Sequence, residues 1–331
     1  MFNKSDRVLL LGEGNFSFSV ELFHRDLNIH ITATCYETHS NVQDLGKKNI
    51  EYLQNNGVRV LVGVDGTNLN EHPILKTELF DKIIFNFPHA GGKMRIEKNR
   101  ELLRNFFISA SDSLKNNGLV LVTLCNGQGG TIIDNPPRRW DDSWKIVEMA
   151  AHGDFVLKSV IPFAWSSFHK YTVTGYRSLD KQFHSAGALT HMFVKSESPN
   201  LQNIAPKEKI SIFQCNNDSI SWKDINERTV VLDIGLSDMY SHTYTFDITF
   251  SIAEKFDVVE FYTLLHNYAG LIISDVNFIK LYKTPDGVEK RTYRIDYKSS
   301  HFPLFRKRVI DIHQNFVANI LENNLNVTVS R

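Results

Sequence analysis

Cysteine is scarce: Cys35, Cys125 and Cys215 lie far apart and are odd in number. That pattern excludes a disulfide framework and a zinc-ligand spacing, and predicts buried thiols in a reducing compartment. Long apolar runs are lacking as well. The first, Val8-Leu9-Leu10-Leu11, breaks at once into Gly-Glu-Gly, and nothing approaches the ~20 residues of a membrane span. No cleaved leader or Arg- and Ser-rich presequence is expected, so the reading is a cytoplasmic protein without a membrane partner, with nuclear or nucleolar placement open. Charge of one sign is not in excess either. Lys+Arg and Asp+Glu both total 37, which leaves no global field to gather nucleic acid but permits a local patch. What is present, 42% hydrophobic and 22% charged residues over 331 positions, fits folded protein and predicts two domains.

The two halves have different grammar. Up to about residue 197, short apolar runs alternate with helical segments. Strands are predicted at 7–11, 29–36, 58–64, 80–87 and 119–124, helices at 16–25, 41–55, 98–114 and 143–151, and a closing antiparallel hairpin at 155–161 and 188–195. Continuous apolar strands separated by helices predict a doubly wound α/β domain with a parallel sheet. Residues 198–228 are rich in turn-formers and read as a linker, with one short docked segment around 210–213. From about 229 to 331 the order strand (243–251), helix (258–268), strand (271–283), strand (288–298), helix (305–321), strand (325–330) predicts an α+β ferredoxin-like domain.

The chemistry is concentrated after the strands of the first half. Gly12-Glu13-Gly14-Asn15-Phe16-Ser17 closes the first strand and opens a helix; the two glycines let a ligand approach backbone N–H groups. Such a turn serves nicotinamide enzymes and S-adenosylmethionine enzymes alike, but Ser17 replaces the third glycine of the dinucleotide fingerprint. Glu37, after the second strand, suits ribose hydroxyls or a helix N-terminus. Asp65, in GVDGT after the third, suits the adenine end of the same ligand or a turn. After the fourth strand comes Asn86-Phe87-Pro88-His89-Ala90-Gly91. There Asn86 can grip a base edge, Pro88 fixes the loop, and His89 can take a proton from a ring nitrogen or simply cap the backbone.

VLLLGEGNFSF at 8–18, GVDGT at 63–67, FDKIIFNFPHAG at 80–91 and the NxxLLxxFF helix at 99–107 resemble one family. It is the Rossmann-like family that includes fungal methyltransferases acting at ring N(3) of a large-subunit rRNA uridine. The second half resembles the ferredoxin-fold anticodon-binding domain that ends phenylalanyl-tRNA synthetase chains. The first resemblance implies a class I methyltransferase domain with S-adenosylmethionine at Gly12, Glu13, Gly14, Ser17, Glu37 and Asp65, an acceptor base at Asn86, Pro88 and His89, and no metal. The second implies an RNA partner, tRNA ahead of rRNA. The sequence departs from the rRNA enzymes at 126–140 (NGQGGTIIDNPPRRW), which puts the acceptor in question more than the cofactor. The alternative is therefore a tRNA-binding or assembly factor on an inactive scaffold.

Basic residues cluster locally. Residues 283–308 carry eight Lys or Arg against three Asp or Glu. Lys290, Arg291, Arg294, Lys298, Arg306, Lys307 and Arg308 are the candidate phosphate contacts there, and Arg138, Arg139 and Trp140 form a smaller basic-aromatic spot.

Overall fold

A computed structural model describes residues 2–91, 95–174, 185–196, 200–211, 220–226, 241–252 and 256–330. The chain divides into two compact units, Met1–Ser196 and Glu197–Arg331.

In the first unit β1 (Arg7–Leu11), α1 (Ser17–His24), β2 (His30–Thr34), α2 (Asp44–Asn55), β3 (Arg59–Leu61), β4 (Phe80–Asn86), α3 (Ile96–Ser113), β5 (Leu114–Leu124), α4 (Ile146–Ala151), β6 (Phe155–Pro162) and β7 (Leu189–Lys195) follow in order. They form one sheet, β3-β2-β1-β4-β5-β7-β6, in which only β7 runs antiparallel to its neighbours. Val8, Leu9, Leu10 and Leu11 are all at most 2% exposed, because helices cover both faces and leave β1 no solvent side. At the amino ends of the strands a buried Asp6–Lys82 ion pair closes the sheet. Ligand chemistry is thereby left to the carboxyl ends, where the strand order reverses between β1 and β4.

Two boundaries differ from expectation. β5 begins at Leu114, pairing Phe80 with Leu114 across a register shift, so polar Lys115-Asn116-Asn117 is strand despite its composition. α4 starts only at Ile146, because Lys145 sits in the left-handed region at φ 51° and donates its N–H to Ser143 Oγ at 3.1 Å.

The second unit holds α5 (Trp222–Asn226), β8 (Tyr244–Ile252), α6 (Val258–Ala269), β9 (Ile273–Lys283), β10 (Glu289–Tyr297), α7 (Arg306–Asp311), a π turn (Ile312–Val317), α8 (Ala318–Asn324) and β11 (Val327–Ser330). Its antiparallel sheet, β11-β8-β10-β9, is the ferredoxin-like order. The stretch expected as linker is largely part of this unit. Ile204, Trp222 and Ile225 enter its hydrophobic core, and Ile210 exchanges two 2.9 Å backbone bonds with the Asn267 amide. Apolar side chains spaced too irregularly to show a period still find a core once a helix is there to receive them. Of the predicted docked segment, Ile212 and Phe213 lie outside the described residues, as does Cys215; Cys35 and Cys125 are buried thiols.

Candidate active site

Gly12 turns the chain off β1 at φ 66°, and a Cβ there would sit 2.5 Å from the Phe85 ring. Only glycine meets both demands. The Glu13 side chain does not face outward as a ligand group. It is buried, and its Oε2 accepts from Ser19 N at 3.0 Å and Ser19 Oγ at 2.8 Å, capping the first turn of α1. Burial pushes its carboxyl up to about 7, against the downward pull of those two bonds.

Ser17 is also turned inward. Its hydroxyl accepts from Thr172 N at 2.9 Å and donates to Thr172 O at 3.1 Å, while Asn15 Nδ2 donates to Thr172 Oγ1 at 2.8 Å. Tyr171–Thr174 thus forms a strap lying along the glycine turn. At Gly14 the strap comes so close that a Cβ would stand 2.1 Å from Thr174 Oγ1. The space enclosed among the turn, the strap, Asn86 and Phe87 is about 40 Å³, enough for water but not for a nucleoside. Glu37 and Asp65, by contrast, are exposed at the ends of β2 and β3. Asp65 Oδ1 accepts from Thr67 N and Oγ1 at 2.8 and 2.7 Å, so the turn reading of this residue holds for that oxygen. A small open turn at Gly12 and two exposed carboxylates on successive strand ends fit an adenosyl ligand; the Gly14 side fits it only with the strap displaced.

Across the cleft, β4 delivers Asn86. Its Oδ1 accepts from Thr123 Oγ1 at 2.7 Å, and that hydroxyl lies 3.0 Å from Thr190 Oγ1. This fixes the amide plane and leaves Nδ2, a buried donor, without a hydrogen-bond partner among the described residues. Phe87 takes φ 51° and donates its N–H to Thr123 O, which turns the chain sharply into Pro88, itself buried. Asn99, only 1% exposed on α3, accepts from Ala90 N at 2.9 Å and so holds the loop. His89 accepts from Gly91 N through Nδ1 at 2.9 Å. That bond uses the imidazole lone pair and puts the neutral ring's proton on Nε2. The backbone-capping reading of His89 therefore holds for Nδ1.

The 126–140 loop is built around Asp134, a residue that sequence reading passed over. This 3%-exposed carboxylate accepts from Gly127 N, Gly130 N and Thr131 N at 3.0, 2.8 and 2.9 Å. Trp144 N and Ile146 N donate to Gln128 O and Gly129 O and tie the loop to the start of α4. Arg138 and Arg139 are exposed beyond it, whereas Trp140 is half-buried with Lys145 over its ring at 5.7 Å.

Residues 9–175, half of the chain, match the family described as BMT5-like: rRNA (uridine-N3-)-methyltransferase BTM5-like. The chain belongs to the BMT5-like family. It is 46% identical over 193 residues to the human ferredoxin-fold anticodon-binding domain-containing protein 1, a match covering 57% of this chain and 31% of that one. It is 24% identical over 221 residues to the 25S rRNA (uridine(2634)-N(3))-methyltransferase of Saccharomyces cerevisiae, covering 51% of this chain and 66% of the yeast protein. Among solved structures, TrmN from Thermus thermophilus aligns at TM-score 0.37 and 15% identity over 58% of this chain and 44% of its own. The chain therefore spans about a third of the human relative it matches.

The BMT5-like match includes both the strap and the Asp134 loop, but stops before the second unit. There the basic strand is divided by its own alternation. Tyr293 and Tyr297 are 1% and 0% exposed in the core, so neither can stack on a base. Arg291 shares their face, with its guanidinium over the Phe256 ring at 4.8 Å, and is not on the open face of the sheet. Arg294 is there, held by Asp247 at 2.8 and 3.0 Å, and Lys290 lies opposite Tyr282. Lys280 pairs across from Thr292 on that face, with its ammonium over Tyr282 at 5.5 Å. Tyr282, 42% exposed, is thus the aromatic that the cations surround, and β9 was not where sequence charge counting looked. Past β10, Lys298 is half-buried, and Arg306 and Lys307 are exposed. Arg308 leans on Phe305 and donates to Pro303 O at 2.8 Å. Among the described residues no helix is long and apolar enough to cross a membrane, and no three potential metal ligands gather.

Proposed function

We propose that this BMT5-like chain is an S-adenosylmethionine-dependent RNA base methyltransferase whose acceptor is a uridine ring nitrogen in tRNA or rRNA. The observation that carries it is the Asn86 amide: a buried N–H donor without a partner among the described residues, fixed by Thr123, on the wall of the cleft facing the glycine turn. A uracil ring presents a carbonyl on each side of N3. A donor to one of those oxygens stabilises the negative charge that builds as N3 loses its proton.

S-adenosylmethionine, when bound, supplies a sulfonium methyl. Gly12, Glu37 and Asp65 would hold it, and Gly14 would join them as Thr174 withdraws. The chain's own task is then to orient the base and favour its anion, through Asn86 and the Nε2–H of His89, while Phe87 and Pro88 hold the acceptor loop in shape. The open face of the second unit, with Lys280, Lys290, Arg294 and Tyr282, suits phosphates and one stacked base.

Calorimetric titration with S-adenosylmethionine and S-adenosylhomocysteine tests the first half of this reading, with binding expected and lost in Gly14→Arg. Transfer of labelled methyl to separated tRNA and rRNA fractions tests the second. Asn86→Ala is expected to lower transfer about a hundredfold or more while leaving cofactor affinity within about twofold; an unchanged turnover removes Asn86 from the mechanism. A second reading, an RNA-binding factor on an inactive scaffold, is favoured by the strap's close seat on Gly14. It gains if the purified chain binds RNA but neither cofactor form.

A further inference from the structure

The ring nitrogen of a paired uridine points into the helix and faces its partner base. An enzyme that methylates it in structured RNA must take the base out of the stack, and something must fill the gap left behind. Resting on the RNA methyltransferase reading, we propose that Ile132 and Ile133 are the wedge that fills that gap.

The loop's construction is the first argument. Ile132 and Ile133 are adjacent and 61% and 37% exposed, yet the loop that carries them spends its polar groups inward. Asp134, the next residue, takes three backbone N–H bonds, and the Asn126 and Asn135 segments are joined by two more bonds through the Asn126 amide. A loop held only for its own fold would be expected to place polar side chains outward and keep isoleucine under cover. Here the buried carboxylate acts as the rivet and two stiff β-branched side chains are what it displays. Stiffness matters, because a wedge that bends cannot hold two base pairs apart.

Position is the second argument. The loop leaves the carboxyl end of β5, and Asn86 stands at the carboxyl end of β4, its register partner in the sheet being Thr123. The isoleucines therefore rise from the strand next to the one that carries the acceptor group. Charge is the third. Arg138 and Arg139 are exposed on the same loop, able to meet the phosphates on either side of a distorted step. Apolar side chains inserted between bases with cationic side chains on the flanking backbone are a recurring way to unstack nucleic acid.

The test uses the full chain and two synthetic RNAs. One is a hairpin with a stem uridine next to 2-aminopurine, whose fluorescence rises on unstacking; the other is a single strand with the same uridine. On saturating the hairpin, wild type is expected to raise the fluorescence, and Ile132→Ser/Ile133→Ser to bind it with the rise abolished. The ratio of methyl transfer to hairpin over transfer to single strand is expected to fall about tenfold or more in the double variant. An Ile132→Val/Ile133→Val control keeps the apolar bulk and should retain the rise. Equal fluorescence in wild type and the serine variant overturns the wedge, and so does a wild type that fails to bind or unstack the hairpin. Cofactor titration and transfer to the single strand report on the enzyme reading separately, so either can fail without the other. A protein partner covering the two isoleucines is the outcome indicated if RNA behaviour is identical in both variants.

Discussion

Glu13 sits inside the glycine turn, where a sequence motif suggests a ligand group, and instead holds the start of α1 through Ser19. Its carboxyl titrates near 4.5 when unfolded and is pushed up to about 7 by burial in the native chain. The folded state therefore holds the extra proton between those values, and stability falls as pH rises through that window. The full difference is on the order of 3 kcal/mol. Glu13→Gln keeps an acceptor for Ser19 and carries no charge, so its unfolding midpoint should gain on wild type progressively from pH 4.5 to about 7; parallel midpoints across that range would contradict the assignment. His191 acts in the opposite sense. Burial lowers its imidazole from 6.5 to about 4, so its contribution to stability rises with pH over that interval and partly offsets Glu13 in wild type. Comparing variant with wild type at each pH separates the two.

At the scale of elements, the strap and the Asp134 loop frame the cleft. Ser17→Ala removes the hydroxyl that bonds both Thr172 N and Thr172 O. Faster hydrogen exchange at the Thr172 amide is expected, together with tighter binding of S-adenosylmethionine, because the strap covers Gly14; weaker binding would make the strap a wall of the site rather than a cover. Asp134→Ala strips three buried N–H groups of a charged acceptor and is expected to cost about 2–4 kcal/mol, read as a lower denaturant midpoint and lost protection at Gly127, Gly130 and Thr131. Neither element has a sequence period. Each depends on one side chain meeting backbone groups that come from elsewhere, which is why its role was not legible in the residues alone.

At the scale of the whole molecule, two cores imply two separable contributions to stability. Trp222, 1% exposed, belongs to the second core although it lies in a stretch whose composition reads as linker. Trp222→Ala should cost about 3–5 kcal/mol of that unit's stability while leaving cofactor affinity in the first unchanged. Calorimetric unfolding with and without S-adenosylhomocysteine distinguishes the two transitions. On the open face of the second sheet, Lys280→Ala with Lys290→Ala should reduce the salt dependence of RNA binding by about one logarithmic slope unit per lysine. Tyr293→Phe should leave it unaltered, since that ring is in the core.

The periodicity of apolar residues determined both folds. β1, β4, β8 and β10, the helices between the strands and the closing hairpin all follow from where Val, Leu, Ile and Phe recur, because burial on one face or two is a local property of the pattern. The positions of the glycine turn, Glu37, Asp65 and the Asn86–His89 loop were legible for the same reason: each follows a strand end. Only the tertiary structure decided what those residues do. It turned Glu13 and Ser17 inward, spent the His89 lone pair on Gly91, split Arg291 from Arg294 across the sheet and left the Asn86 amide nitrogen without a partner among the described residues. Hydrogen bonds are directional and short, and their partners here come from segments as much as 157 residues away, as between Asn15 and Thr172. Pattern along a chain reports which face is buried; only the folded chain reports which atom meets which.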